Sequence, residues 1–242
     1  MYHFIADTHC HTIASTHAYS TLIENASYAA EIGMKALAVT DHGPKNLDAP
    51  HLWYFTNLPI TVPRFLHGIN ILRGVEANIM DYEGTLDLGE NTLKKLDWVI
   101  ASYHSCNCEP GTVKQHTNAY LQIAQNPYVD VIGHSGSPKY LYDYEQGIKA
   151  FKEYGKLVEI NQNSFRVRKQ NLKNCAEIAK LCKRYEVPIV VNSDAHFCTQ
   201  IGVFDDAVQM LEEIDFPEKL ILNADFDRFQ DYLYQKRRIT LK

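Results

Sequence analysis

Short apolar runs alternate with stretches of helical period along most of this chain. Residues 2–6 are aromatic and aliphatic enough for a buried strand, and 34–40 are continuously apolar apart from Lys35, as in a parallel strand covered on both faces. Further strands are predicted over 70–78, 97–104, 129–136, 156–161 and 188–193. Helical composition or period marks 24–32, closed by Gly33, then 113–125, 144–154, 172–185 and 207–214. In 172–185 that period makes Cys175 and Cys182 packing groups. Two stretches break the rhythm. Residues 43–68 hold prolines at 44, 50, 59 and 63 around Trp53-Tyr54-Phe55 and are expected to form a wall or lid over a site, or else a packed surface loop with a short helix; 79–96 has no strong period and is expected to be an excursion. The tail from 216 is expected to cap the domain with an apolar piece at 220–222 and a helix from Asp227. Seven βα units in succession predict parallel strands, and right-handed crossovers close them into a distorted (β/α)7 TIM-like barrel in one domain spanning 1–242. In such barrels the site lies at the C-terminal ends of the strands.

The ends of these runs carry the chemistry. His9 and His11 alternate on the first strand and share a face, and His17, His42, His104, His134 and His196 also fall at or just beyond apolar runs. Glu76 closes the third strand and Asp194 the seventh. His3, His51, His67 and His116 have no such placement and read as ordinary core or surface histidines. A lone His-x-His is weak evidence; nine potential ligands delivered by successive strands point to metal. Zinc takes about four donors and a catalytic zinc keeps one position open, so nine ligands suit three divalent ions sharing a carboxylate. Imidazole with carboxylate favours zinc, manganese or iron over copper(I) and does not choose among the three. Three such ions against two carboxylates leave about +4, a field for a phosphate dianion, and a paired-ion site is the general solution to phosphate-ester hydrolysis by a bridging hydroxide.

Other groups near these ends are weaker candidates. Asp41 is read as a partner orienting an imidazole, a turn aspartate, or the acid that protonates a leaving alkoxide. Lys139, Arg166 and Arg168 follow the fifth and sixth strands and are candidate phosphate contacts, or solvated loop charges. Cys106-Asn107-Cys108 reads as an exposed or packed pair.

Composition narrows the partners. A formal charge of −5 over 242 residues provides no basic footprint for stable nucleic-acid binding. The six cysteines lack CxxC spacing and the chain enters a strand without a secretory leader, so a reduced, cytoplasmic protein is expected. No apolar run approaches the roughly 18 residues of a membrane span. A homo-oligomer is compatible with this composition.

The motifs Asp7-Thr8-His9-Cys10-His11-Thr12, Ala14-Ser15-Thr16-His17-Ala18-Tyr19-Ser20, Thr40-Asp41-His42-Gly43, Gly74-Val75-Glu76-Ala77-Asn78, Gly133-His134 and Ser193-Asp194-Ala195-His196 together resemble the PHP (polymerase and histidinol phosphatase) superfamily, and within it the YcdX-type phosphatases. The likeness extends through Asp48-Ala49-Pro50-His51, Ser137-Pro138-Lys139-Tyr140 and Glu159-Ile160-Asn161. It implies a trinuclear, usually zinc, site: His9, His11, Glu76 and Asp194 on one ion, Glu76 with His104 and His134 on a second, and His17, His42 and His196 on a third. The expected activity is metal-dependent hydrolysis of a small phosphomonoester. The rivals are a phosphodiesterase or exonuclease on nucleotide ends, an amidohydrolase-like enzyme that does not act on phosphate, and a non-catalytic metal-binding module.

Overall fold

The computed structural model describes residues 2–242, and seven of its strands form a nearly closed parallel barrel. The order is β1 (Ala6–Cys10), β2 (Ala36–Val39), β4 (Ile69–Asn78), β5 (Trp98–Ser102), β6 (Val131–Ile132), β7 (Leu157–Asn161) and β8 (Ile189–Asn192). The two-residue β3 (Phe65–Leu66) pairs antiparallel with β4, off this path. The expected (β/α)7 architecture is therefore the one the chain builds. Its helices are α1 (Leu22–Glu31), α2 (Leu52–Thr61), α3 (Glu90–Leu93), α4 (Val113–Gln125), α5 (Tyr144–Glu153), α6 (Asn163–Arg166), α7 (Leu172–Tyr185), α8 (Asp205–Glu213) and α9 (Phe226–Arg237). Among the described residues no helix is long and apolar enough to cross a membrane.

Two expectations need correction. Residues 43–68 are not chiefly a lid: they contain the crossover helix α2, which buries Phe55 and Leu58. Its apolar residues are not confined to one stripe and Pro59 sits inside it, so helical period is weak there. Nor does the first strand occupy 2–6. Its pairing with β2 begins at Ala6↔Ala36, and the ladder is irregular between Asp7 and Cys10.

That irregularity sets which way the histidines face. Ala6 packs with the barrel-floor residues Leu72, Trp98, Ile100 and Val190, whereas Cys10 packs in the outer core with Val39 and Val75. In a regular strand residues four apart share a face; the shift between Asp7 and Cys10 reverses the alternation and turns His9 and His11 inward. The floor itself is closed from below. Phe229 and Leu233 of α9, with Leu222, Ile239 and Leu241, pack against the floor residues, so the tail caps the barrel as expected.

The seam between β1 and β8 is held mainly by side chains. One backbone bridge joins Cys10 to Ala195. Beneath it, Asn192 Oδ1 accepts from Thr8 N (2.9 Å) and Thr8 Oγ1 (2.7 Å). Lower still, Asn223 donates through Nδ2 to Ala6 O (2.8 Å) and Val191 O (2.7 Å) and accepts from Val191 N (3.1 Å). These amides replace missing ladder bonds in a fully buried position. Asn223→Ala strands three buried backbone groups, each worth about 1–3 kcal/mol. We expect a loss of about 3 kcal/mol or more in urea denaturation. A loss below about 1 kcal/mol would mean that the seam closes without this amide.

Candidate metal centre

Glu76 is the hub of the C-terminal face. Its Oε1 lies 2.8 Å from His134 Nε2 and 3.3 Å from His104 Nε2. Its Oε2 lies 3.2 Å from His42 Nε2, 3.4 Å from His9 Nε2 and 3.7 Å from His11 Nε2. Asp194 Oδ1 is 3.2 Å from His11 Nε2 and 3.6 Å from His9 Nε2. Donors bound at 2.0–2.1 Å around a tetrahedral ion stand about 3.3 Å apart, so these are the separations of groups that share an ion.

The far nitrogens are held. His9 Nδ1 is 2.7 Å from Glu159 Oε1, and His104 Nδ1 is 2.6 Å from Asn78 Oδ1. Asp48 Oδ2 lies 2.7 Å from His17 Nδ1 and 3.0 Å from His42 Nδ1, and Asp194 O lies 2.9 Å from His196 Nδ1. Partners of this kind fix ring orientation and leave each Nε2 free to coordinate. Two ring nitrogens, His9 Nε2 and His11 Nδ1, are buried without a hydrogen-bond partner. The His9 orphan, 3.4 Å from Glu76 and 3.6 Å from Asp194, fits a ligand directed at a cation.

The electrostatics agree. Burial alone would raise the Glu76 carboxyl, yet His104 and His9 beside it hold it well below the usual range. Burial would lower His9, but Glu159, Glu76 and Asp194 push it well above the usual imidazole range. His42, also opposed by burial, is raised to about 10, chiefly by its bonds to Asp48 and Glu76. His11 is driven well below the usual range by burial and by His42. The carboxylates thus draw positive charge onto the cluster, while the packing keeps His11 a neutral donor. The backbone is strained where it carries ligands: His134 (φ 22°) and Asp194 (φ 56°) adopt conformations that non-glycine residues rarely do.

Eight of the nine expected ligands are buried or half-buried at this face; His17 stands at the mouth with its side chain 54% exposed. The donor groups within reach of one ion are His9 with His11 and Glu76, His42 with Glu76 and His104, His11 with His42 and His196, and His17 with His42 and Asp48. These sets partly cut across the grouping the family resemblance implies.

A cleft of about 400 Å³ opens over the cluster, lined by His17, His42, His104, His134 and His196 and by Lys139 and Arg168. Arg168 Nη1 is buried, unpaired by hydrogen bonds and 3.6 Å from Asp194 Oδ2. Arg166 does not line the cleft; α6 makes a single turn that leaves it exposed. Asp41 does not line the cleft either. Its two oxygens accept from Thr12 N (2.8 Å), Thr12 Oγ1 (2.9 Å), Ser15 Oγ (2.8 Å) and Tyr54 OH (2.6 Å), entirely buried. A carboxylate occupied in this way holds the turn after β1. Cys106 reaches the rim and donates to Asn46 Oδ1 (2.6 Å), while Cys108 is buried.

Sequence reasoning missed three functional supports: Glu159, Asp48 and Asn78. The signal for Glu159 was present, because an acid inside the apolar run 156–161 requires a buried partner.

An α/β barrel whose strand ends converge imidazoles and carboxylates on one cleft belongs to the class of barrels that hold catalytic metal. Residues 7–165 match the PHP domain family, and the chain belongs to it. It is 47% identical over 237 residues to a protein of Clostridium novyi (strain NT) named "probable phosphatase", covering 98% of this chain and 97% of that one. A protein of the same description from Caldanaerobacter subterraneus subsp. tengcongensis is 49% identical over 236 residues, with 97% and 92% covered. In fold it resembles the histidinol phosphate phosphatase of Lactococcus lactis solved with zinc, L-histidinol and phosphate (TM-score 0.58, 15% identity, 88% of this chain and 94% of that one).

Proposed function

We propose that this PHP protein is a metal-dependent phosphatase acting on a small phosphomonoester. One observation carries the reading: a single buried carboxylate, Glu76, within 2.8–3.7 Å of five imidazoles. The relatives named "probable phosphatase" and the zinc and phosphate in the Lactococcus lactis protein support it. We assign three divalent ions, zinc by preference: His9, His11, Glu76 and Asp194 to one; Glu76, His104 and His134 to the next; His17, His42 and His196 to the third. Bound there, they would supply charge neutralisation for phosphate and acidify a water.

The rest is the work of side chains. Glu159, Asn78 and Asp48 keep the imidazoles in register, as above. Arg168, whose Nη1 lies 3.6 Å from Asp194 Oδ2, and Lys139 both line the cleft and give it two cations for a phosphate dianion. The cleft volume of about 400 Å³ restricts the organic group to a small one.

All seven site imidazoles are occupied by ligation in this assignment, so water is the nucleophile and phosphorus undergoes one displacement. Hydrolysis of a chiral phosphate monoester is therefore expected to invert configuration. Retention would require a phosphorylated side chain and would overturn this mechanism. Preferential cleavage of diesters in the same assay would overturn the substrate class.

A further inference from the structure

The opposite end of the barrel has a second cleft of about 400 Å³. It is lined by Arg64 ahead of β3, by Lys94 and Lys95 at the end of α3, and by Lys236, Arg237 and Arg238 at the end of α9. Six cations share one concavity in a chain of net charge −5. The nearby acids are already taken. Asp97 accepts from Arg73 Nε (2.5 Å) and Arg64 Nη2 (2.8 Å), and Asp130 pairs with Arg237 at 2.6 Å.

Among the described residues, Lys94, Lys95, Lys236 and Arg238 have no carboxylate at ion-pair distance. Lys94 donates to the neutral Asn91 Oδ1 (2.8 Å), and Arg238 lies over the Tyr234 ring, 5.3 Å from its centroid. Cations in the last turn of α9 complement the helix dipole. That does not account for Arg64, Lys94 and Lys95, which arrive from two other segments. Lys94, Lys95, Lys236 and Arg238 are exposed, and the convergence of like charge from three segments builds a positive potential that attracts anions. Leu96, Pro127 and Tyr128 complete the wall and give it an apolar side.

We propose that this cleft binds a nucleoside di- or triphosphate, its phosphates on Lys95, Lys236 and Arg238 and its ring against Pro127 and Tyr128. Four uncompensated cations match the three to four negative charges of such a ligand better than the two of a monophosphate. A concavity of this size encloses one small molecule, whereas a polynucleotide would need the charge to continue beyond it.

The test is calorimetric titration of the full metal-loaded chain with ATP, tripolyphosphate and inorganic phosphate. ATP is expected to bind wild type and Glu76→Gln alike, because the catalytic cleft is not involved. The double variant Lys95→Glu/Lys236→Glu should bind ATP at least roughly tenfold more weakly, equivalent to 1.4 kcal/mol, with an unchanged unfolding midpoint. Lys95→Gln/Lys236→Gln should weaken binding by less, which keeps the comparison usable if charge reversal disturbs the fold. Inorganic phosphate, which the catalytic cleft also takes, should bind wild type and Lys95→Glu/Lys236→Glu alike. ATP affinity untouched by either double variant, or abolished by Glu76→Gln, would overturn the proposal. Displacement of ATP by a 20-nucleotide RNA at lower concentration than ATP itself would assign the cleft to a polymer and also overturn it. Equal affinity for tripolyphosphate and ATP would overturn the ring contact.

Discussion

Glu76→Gln is expected to lower phosphatase turnover on the order of a thousandfold or more while leaving the fold intact. A neutral amide cannot bridge two cations, and its NH2 group would face imidazole nitrogens that now face carboxylate oxygen. The loss should exceed the 10- to 100-fold typical of removing an orienting partner behind a ligand. Turnover measured beside metal content on the same preparation checks the claim. Wild-type rate at full metal content would show that Glu76 is not shared between ions.

Removal of metal is expected to abolish activity, and readdition of zinc to restore it. Protein purified without chelator should carry close to three ions per chain. Stability should follow, because an ion that binds only the folded chain contributes about 4 kcal/mol at a thousandfold excess over its dissociation constant. The unfolding midpoint should therefore fall on chelation by many degrees. A metal content of one or less, with activity intact, would exclude the trinuclear assignment.

The elements most legible in the sequence were those with strong local signals. α4 and α7 run over 113–125 and 172–185, the spans expected from helical composition in the first and from period in the second, and α4 also carries a capping box between Thr112 and Gln115. The ligands were legible because apolar runs end on them. What stayed hidden depends on tertiary structure. The register shift in β1 is not encoded by any local composition, and α2 lacks the polar face that a helical pattern requires. Asp48 and Asn78 act through rings six and 26 residues away, and spacing of that kind has no periodic signature. Asp41 looked available because it stands beside His42; only the fold reveals the four donors around it.

The side-chain seam between β1 and β8 has a consequence for the growing polypeptide. The first strand carries His9 and His11, yet its partners Asn192 and Asn223 lie 184 and 217 residues later. At about 5–20 residues per second, roughly ten to forty seconds separate the synthesis of β1 from that of its closing amide. For most of that interval β1 is an open sheet edge, and until the last part of it the His-x-His pair has neither Asp194 nor His196 beside it. The metal centre is consequently among the last parts of the molecule to mature. A ribosome that stops before residue 223 releases a barrel with its edge unsealed, the kind of species that pairs with its neighbours instead of with itself.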